Sequence, residues 1–297
     1  MRKRYLIAGI AFAGLVAAAL AGNTARNVAR FQPLTRSPAE AEALLAPAWR
    51  LVMPPEDAGF SPPYKAAVVM SGCDGVHDNM DLWAGVLAGH GRATLILDSH
   101  GPRGLDQMQS WRAVCAAQIL PGAERAADLA VAIAAMGRME GIDTSDIAVL
   151  GASHGGWSIM ELLELLGTEA PPPGLGAWPE PRAELAARIG PVVLLYPYCG
   201  VVSGAGDAHW PANAEGLMVL AGEDSIVDPQ KCREMAAGLV ERGADLTVAT
   251  LAGADHGFDQ KEHSVVSSLI FDQGLTDQAE ALVSGLLAEH EAGAPAL

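Results

Sequence analysis

The chain has 297 residues, half of them hydrophobic, with 33 glycines and 19 prolines, the composition of a globular protein with a sizeable core. Its formal charge of −16, from 35 acidic against 19 basic residues, excludes a nucleic-acid binder, which needs a clustered basic surface, and disfavours docking on anionic lipid. No repeat of fixed period is present, and one domain of this length is ordinary for an α/β protein.

The chain opens on Arg2, Lys3 and Arg4, followed by apolar and small residues without interruption from Leu6 to Ala21, the last three being Ala19-Leu20-Ala21. A basic start, an apolar run and a small-x-small end are the parts of an export signal. Residues 1–21 are therefore read as a signal peptide, cleaved near Gly22 or Asn23. An uncleaved anchor is the alternative, although a comfortable span takes roughly 20 apolar residues. No cysteine follows the run, which argues against lipoprotein processing. The expectation is a periplasmic or secreted protein without stable membrane association after cleavage. Four cysteines, an even number, suit that oxidising compartment.

Residues 22–65 read as an N-terminal extension leading into a sheet. They start polar, pass through a helical stretch at 38–45 and a strand-like piece at 49–53, and end among Pro54, Pro55, Pro62 and Pro63. A regular domain follows over 66–297. Apolar runs at 66–70, 93–97, 147–150, 192–196, 217–220 and 246–251 predict strands. Segments at 81–88, 123–139, 155–166, 230–242 and 277–289 predict helices. Strands that are continuously apolar, not alternating, belong to a parallel sheet covered on both faces. The fold class is thus α/β, a doubly wound, mostly parallel sheet flanked by helices, with its chemistry at the carboxyl ends of the strands. Residues 168–190, with Pro171-Pro172-Pro173, Gly174, Gly176 and Pro179, break the rhythm and read as a surface loop or a lid.

Gly151-Ala152-Ser153-His154-Gly155 stands between a predicted strand and a predicted helix and matches the G-x-S-x-G nucleophile elbow. The serine of such a turn is pushed out above the sheet, and the flanking glycines pack too closely to carry side chains. A serine needs a base oriented by an acid. The order nucleophile, acid, base makes Asp224, just after the strand at 217–220, the best acid, with Glu223 and Asp228 as alternatives. His256 follows the last strand and is the base, whereas His263 and His290 read as surface residues. The expected oxyanion donors are the N–H groups of His154, next to the nucleophile, and of Cys73 in the loop Gly72-Cys73-Asp74-Gly75. His154 and His100 are expected to line the pocket. No His/Cys/carboxylate cluster has zinc spacing and no glycine loop suits a phosphate, so neither metal nor cofactor is expected.

The ordered set Ser71-Gly72-Cys73-Asp74-Gly75, Asp98-Ser99-His100-Gly101-Pro102-Arg103-Gly104, Gly151 to Gly156, Tyr196-Pro197-Tyr198-Cys199, Gly222-Glu223-Asp224 and His256-Gly257-Phe258-Asp259 resembles the dienelactone hydrolase family of the α/β-hydrolases, over about residues 66–258. The resemblance implies an α/β-hydrolase fold and Ser153, Asp224 and His256 as triad. Founding members of that family use a cysteine nucleophile in the cytoplasm. This chain has Ser153 and an export signal, as in relatives that look like general esterases. Arg103 follows a strand end, where a guanidinium can hold a substrate carboxylate bidentately, as the resemblance suggests, or can brace loop carbonyls. In the strand order usual for this fold, the strands ending at Met70 and Leu97 are neighbours, as are those ending at Tyr196 and Leu220. That order favours disulfides Cys73–Cys115 and Cys199–Cys232 over four free thiols, because bridged Cα atoms lie within about 7 Å. The function expected is hydrolysis of a small-molecule ester or lactone through an acyl-enzyme on Ser153. A peptidase or acyltransferase on the same triad, and a catalytically silent binding module, are the rivals.

Overall fold

A buried strand presents successive side chains to opposite faces, so a strand covered on both sides is apolar at every position. The computed structural model, which describes residues 2–31, 34–208, 210–263 and 267–293, shows this directly. Val68, Leu95 and Val149 face one core, and their chain neighbours Val69, Ile96 and Leu150 face the other.

The elements in chain order are α1 (Arg2–Phe31), α2 (Pro38–Leu45), β1 (Arg50–Val52), β2 (Tyr64–Met70), α3 (Asp78–Gly89), β3 (Arg92–Leu97), the single turn α4 (Gln107–Gln109) running into a π-helical turn Ser110–Val114, α5 (Gly122–Met136), β4 (Ile142–Ala152), α6 (His154–Leu166), α7 (Arg182–Arg188), β5 (Ile189–Leu195), β6 (Glu215–Ala221), α8 (Pro229–Glu241), β7 (Asp245–Leu251) and α9 (Gln273–Gly293). The seven strands pair in the order β1-β3-β2-β4-β5-β6-β7. Strands β2 to β7 are parallel and β1 is an antiparallel edge. Helices α5, α6 and α8 cover one face through Leu129, Ile133, Leu163 and Leu239. Helices α3 and α9 cover the other through Trp83, Leu87, Val283 and Leu287. This is the expected three-layer α/β arrangement.

Three segments differ from the sequence expectation in ways that have physical reasons. Strand β4 starts at Ile142, five residues before the apolar run, because Ile142 and Asp143 pair with Tyr64 and Lys65 at the start of β2. Strand β5 starts at Ile189, across a Gly190-Pro191 pair that hides it from a hydrophobicity reading. Residues 168–190 contain α7, and none of them lines the cavity around Ser153: Leu175 forms a parallel bridge with Arg36 and packs with Ala41 and Leu45 of α2.

The extension belongs to the same sheet. Ser37 and Glu40 form a capping box at the start of α2, with Pro38 at the first helical position. Arg50, Leu51 and Val52 of β1 pair with Ile96, Leu95 and Thr94 of β3. Helix α1 behaves differently. Its stretch Gly9–Arg26 is long and apolar enough to cross a membrane and has no residue buried against the rest of the chain.

Candidate active site

Ser153 occupies the turn from β4 into α6 with φ 50° and ψ −111°. A non-glycine residue at positive φ is strained and persists only where its surroundings impose it. The surroundings here are glycines. A Cβ on Gly151 would collide with the backbone of Gly155 and Gly156, and one on Gly155 would collide with the carbonyls of Met70 and Ser71. The Ser153 N–H donates to the Leu195 carbonyl at 2.8 Å, which fixes the elbow against β5.

His256 sits on the loop after β7. Its Nε2 lies 2.8 Å from Ser153 Oγ and its Nδ1 lies 2.8 Å from Asp224 Oδ2. The Asp224 carboxylate is nearly buried, and its other oxygen accepts the N–H groups of Ile226 at 2.9 Å and Val227 at 2.7 Å. With Asp224 ionised, Nδ1 donates to it and Nε2 is left to accept the serine proton. Of the three acids weighed from the sequence, only Asp224 touches the histidine. Glu223 is exposed, and Asp228 caps α8 by accepting the Gln230 N–H at 3.0 Å. Asp255 ties the two loops together, accepting the N–H groups of Ser225 and of His256, both at 2.7 Å. Behind the imidazole stands Tyr196, edge-on at 4.9 Å between centroids. Its hydroxyl donates to the buried Asp259, which also accepts the Trp83 indole N–H at 2.6 Å.

Cys73 and His154 both line a cavity of about 580 Å³ around Ser153. Neither backbone N–H finds an acceptor among the described residues, which leaves both open to a developing oxyanion. The Cys73 loop is held from below. His100 is bonded through Nε2 to the Cys73 carbonyl at 3.2 Å. Arg125, wholly buried, donates to the carbonyls of Ser71 at 2.9 Å and Gly72 at 3.3 Å and to His154 Nδ1 at 3.1 Å. Burial pushes the Arg125 guanidinium down to about 10, so it remains a cation at neutral pH. Burial, with Arg125 beside them, drives both His154 and His100 well below the ordinary imidazole range, so both are neutral. A disulfide joins Cys73 to Cys115 with Cα atoms 4.9 Å apart, and a second joins Cys199 to Cys232 at 5.1 Å.

Arg103, His100 and His290 lie apart from the cleft, and Arg103 takes the bracing role that was one of its two readings. Arg103 does not reach the cleft: it holds Asp128 of α5 bidentately at 2.8 and 2.9 Å and the Ser99 carbonyl at 2.7 Å. The nearly buried Asp128 carboxylate occupies both terminal nitrogens of that guanidinium. His100 lies behind the oxyanion loop and supports it; it is not among the residues lining the cavity. His290 is not a free surface residue either, lying 3.1 Å from Asp146 and 3.3 Å from Glu215. The residues that sequence reasoning missed are Arg125, Asp255 and Asp259. An arginine three residues before Asp128 in an Ala-rich helix was the one visible signal, because a charge in such a helix must have a partner.

Among the described residues no group of three or more His, Cys, Asp or Glu side chains is placed to hold a metal. No family model matches the chain, and no curated protein matches it. Solved structures do. A dienelactone hydrolase-like promiscuous phosphotriesterase from metagenomic libraries is 19% identical over 81% of this chain and 97% of its own, with a TM-score of 0.57. A provisionally assigned dienelactone hydrolase of Klebsiella pneumoniae is 16% identical over 80% and 90%, with a TM-score of 0.59. Thermogutta terrifontis esterase 2, phosphonylated by cyclosarin, is 14% identical over 84% and 90%, also at 0.59. This chain therefore has the α/β-hydrolase fold, with Ser153, His256 and Asp224 arranged as a serine hydrolase triad.

Proposed function

We propose that the protein is an exported esterase or lactonase of dienelactone hydrolase type. The observation that carries the chemistry is the continuous relay Asp224–His256–Ser153, with 2.8 Å at each step, above a strained elbow. Ser153 Oγ attacks the ester carbonyl as His256 Nε2 takes its proton. Asp224 holds the imidazole tautomer and stabilises the imidazolium. The N–H groups of Cys73 and His154 receive the oxyanion, and His256 returns the proton to the leaving alkoxide. Water, activated by His256, then releases the acid from the acyl-enzyme.

The apolar run in α1 supports the export reading: residues 1–21 are the signal, 22–65 the extension that supplies α2 and β1, and 66–297 the catalytic domain. Two disulfides suit an oxidising compartment outside the cytoplasm. The test is Ser153→Ala. It should retain the fold by circular dichroism, lose fluorophosphonate labelling, and lose p-nitrophenyl ester turnover by about 10³-fold or more. Near-wild-type turnover in that variant would remove Ser153 as the nucleophile.

A further inference from the structure

We infer that the cleft takes a neutral ester or lactone whose acyl side is an apolar, ring-sized group, and that it rejects acyl groups bearing a carboxylate. This rests on Ser153 being the nucleophile.

The first observation is the wall. Trp157 is 2% exposed and lines the cavity one helical turn after the nucleophile. Its indole N–H donates to the buried Glu161, which also accepts the Gly204 N–H at 2.7 Å. The ring is thus locked, with its one polar atom already satisfied by the protein. Tyr198 packs against it at 5.0 Å between centroids, and the His154 ring meets it edge-on at 4.8 Å. A rigid aromatic wall has lost its side-chain entropy before ligand arrives, so an apolar ring placed on it gains burial at little ordering cost.

The second observation is the mouth. Trp111, Val202 and Ile226 line the cavity yet are 46%, 53% and 58% exposed. Large apolar side chains left in water around a pocket mark a surface that a ligand covers.

The third is charge. Among the described residues lining the cavity there is no Lys or Arg. The ionised group there is Asp74, held 3.1 Å from His77 and 3.2 Å from the Gln260 amide. Burial alone would raise the Asp74 carboxyl, but these partners outweigh it and keep it below the usual range. The two nearby guanidinium groups are committed elsewhere: Arg103 to Asp128, and Arg125 beneath the oxyanion loop. A substrate carboxylate would be desolvated with no free guanidinium or ammonium among the described lining residues to meet it.

The experiment compares p-nitrophenyl phenylacetate and hexanoate with the p-nitrophenyl hemiester of glutaric acid, on the disulfide-intact protein. In parallel, a fluorophosphonate probe reports Ser153. The neutral esters should exceed the hemiester at least 100-fold in kcat/KM. Ile226→Arg, which places a cation at the mouth on an exposed position, should narrow that ratio about 10-fold. Equal or better turnover of the hemiester, with Ser153 labelled, would overturn the substrate class and leave the serine hydrolase standing. No turnover of any ester and no labelling would bring down both.

Discussion

The triad depends on contacts that no other acid near the site makes. Asp224 gives one oxygen to two backbone N–H groups and the other to His256, so the carboxylate cannot rotate away without breaking three hydrogen bonds. Asp224→Asn would keep the shape but present an amide that can donate to Nδ1, inverting the tautomer and protonating the nitrogen that must accept from Ser153. Its kcat should fall by about 10³- to 10⁴-fold with KM little changed. Asp228→Asn removes only part of an exposed helix cap and should leave kcat within about twofold. Steady-state kinetics of the pair decides; a dominant loss at Asp228 would move the acid. The nucleophile, acid and base were legible in sequence because each follows a strand, and strand ends are visible as the end of an apolar run. Arg125, Asp255 and Asp259 were not, since each acts through a partner 29 or more residues away, and only the folded chain brings them together.

Helix α5 carries a polar corner at its start that the sheet beneath it does not need. Glu124 lies in its first turn beside Asp128 and Arg103 and lines a second, smaller cavity with them. Burial raises the Glu124 carboxyl to about 7; Asp128 adds to the rise and Arg103 opposes it. The folded protein thus holds this proton more tightly than the unfolded chain, so the contribution is full below about pH 4.5 and is lost as pH rises toward 7. Because Glu124 is partly exposed, solvent screening reduces the effect to about 1 kcal/mol. Glu124→Gln should therefore raise Tm by about 2 °C at pH 8 and leave it unchanged at pH 4. Calorimetry at the two pH values checks this, and an equal shift at both would refute it. The disulfides act at the same scale. Cys73–Cys115 joins the oxyanion loop to the π-helical turn, and Cys199–Cys232 joins the loop after β5 to α8. Closing loops of 42 and 33 residues, each bridge should contribute roughly 2–4 kcal/mol to stability. The first also braces the loop whose Cys73 N–H we propose as an oxyanion donor, so Cys73→Ala with Cys115→Ala should lower kcat at least tenfold more than Cys199→Ala with Cys232→Ala at similar loss of Tm. Equal kcat losses would show that the first bridge does nothing beyond stabilising. The π-helical turn and α7 were not legible in the sequence: each is too short for a helical period to emerge, and both owe their form to what they pack against.

At the scale of the whole molecule the chain divides into a packed part and one long helix that packs on nothing described. The apolar strand runs, the helices between them and the capping box at Ser37 were all readable, because local pattern and global fold agree there. Helix α1 is where such agreement ends: its stretch Gly9–Arg26 is long and apolar enough to cross a membrane, yet none of it is buried against the rest of the chain. Several exposed large side chains, Tyr5, Ile10, Phe12, Leu15 and Leu20, lie along it. Apolar surface left in water on that scale has no stabilising role in the folded domain, where stability comes from area removed from water. By length and composition the helix is consistent with a segment that enters a bilayer, during export or as an anchor. The packed chain begins instead at Arg36, whose N–H donates to the Gly174 carbonyl at 3.0 Å, and continues through α2 onto α5. A chain starting at residue 34 should therefore keep the Tm of the longer protein within about 1 °C and the same kcat/KM, and should need no detergent. A fall in Tm of several degrees would show that α1 docks on the domain. The full chain expressed in an exporting bacterium separates the two membrane readings: intact mass from the soluble periplasmic fraction should lack residues 1–21. Recovery of the full-length mass from the membrane fraction would instead make α1 a permanent anchor that holds the cleft near the bilayer surface.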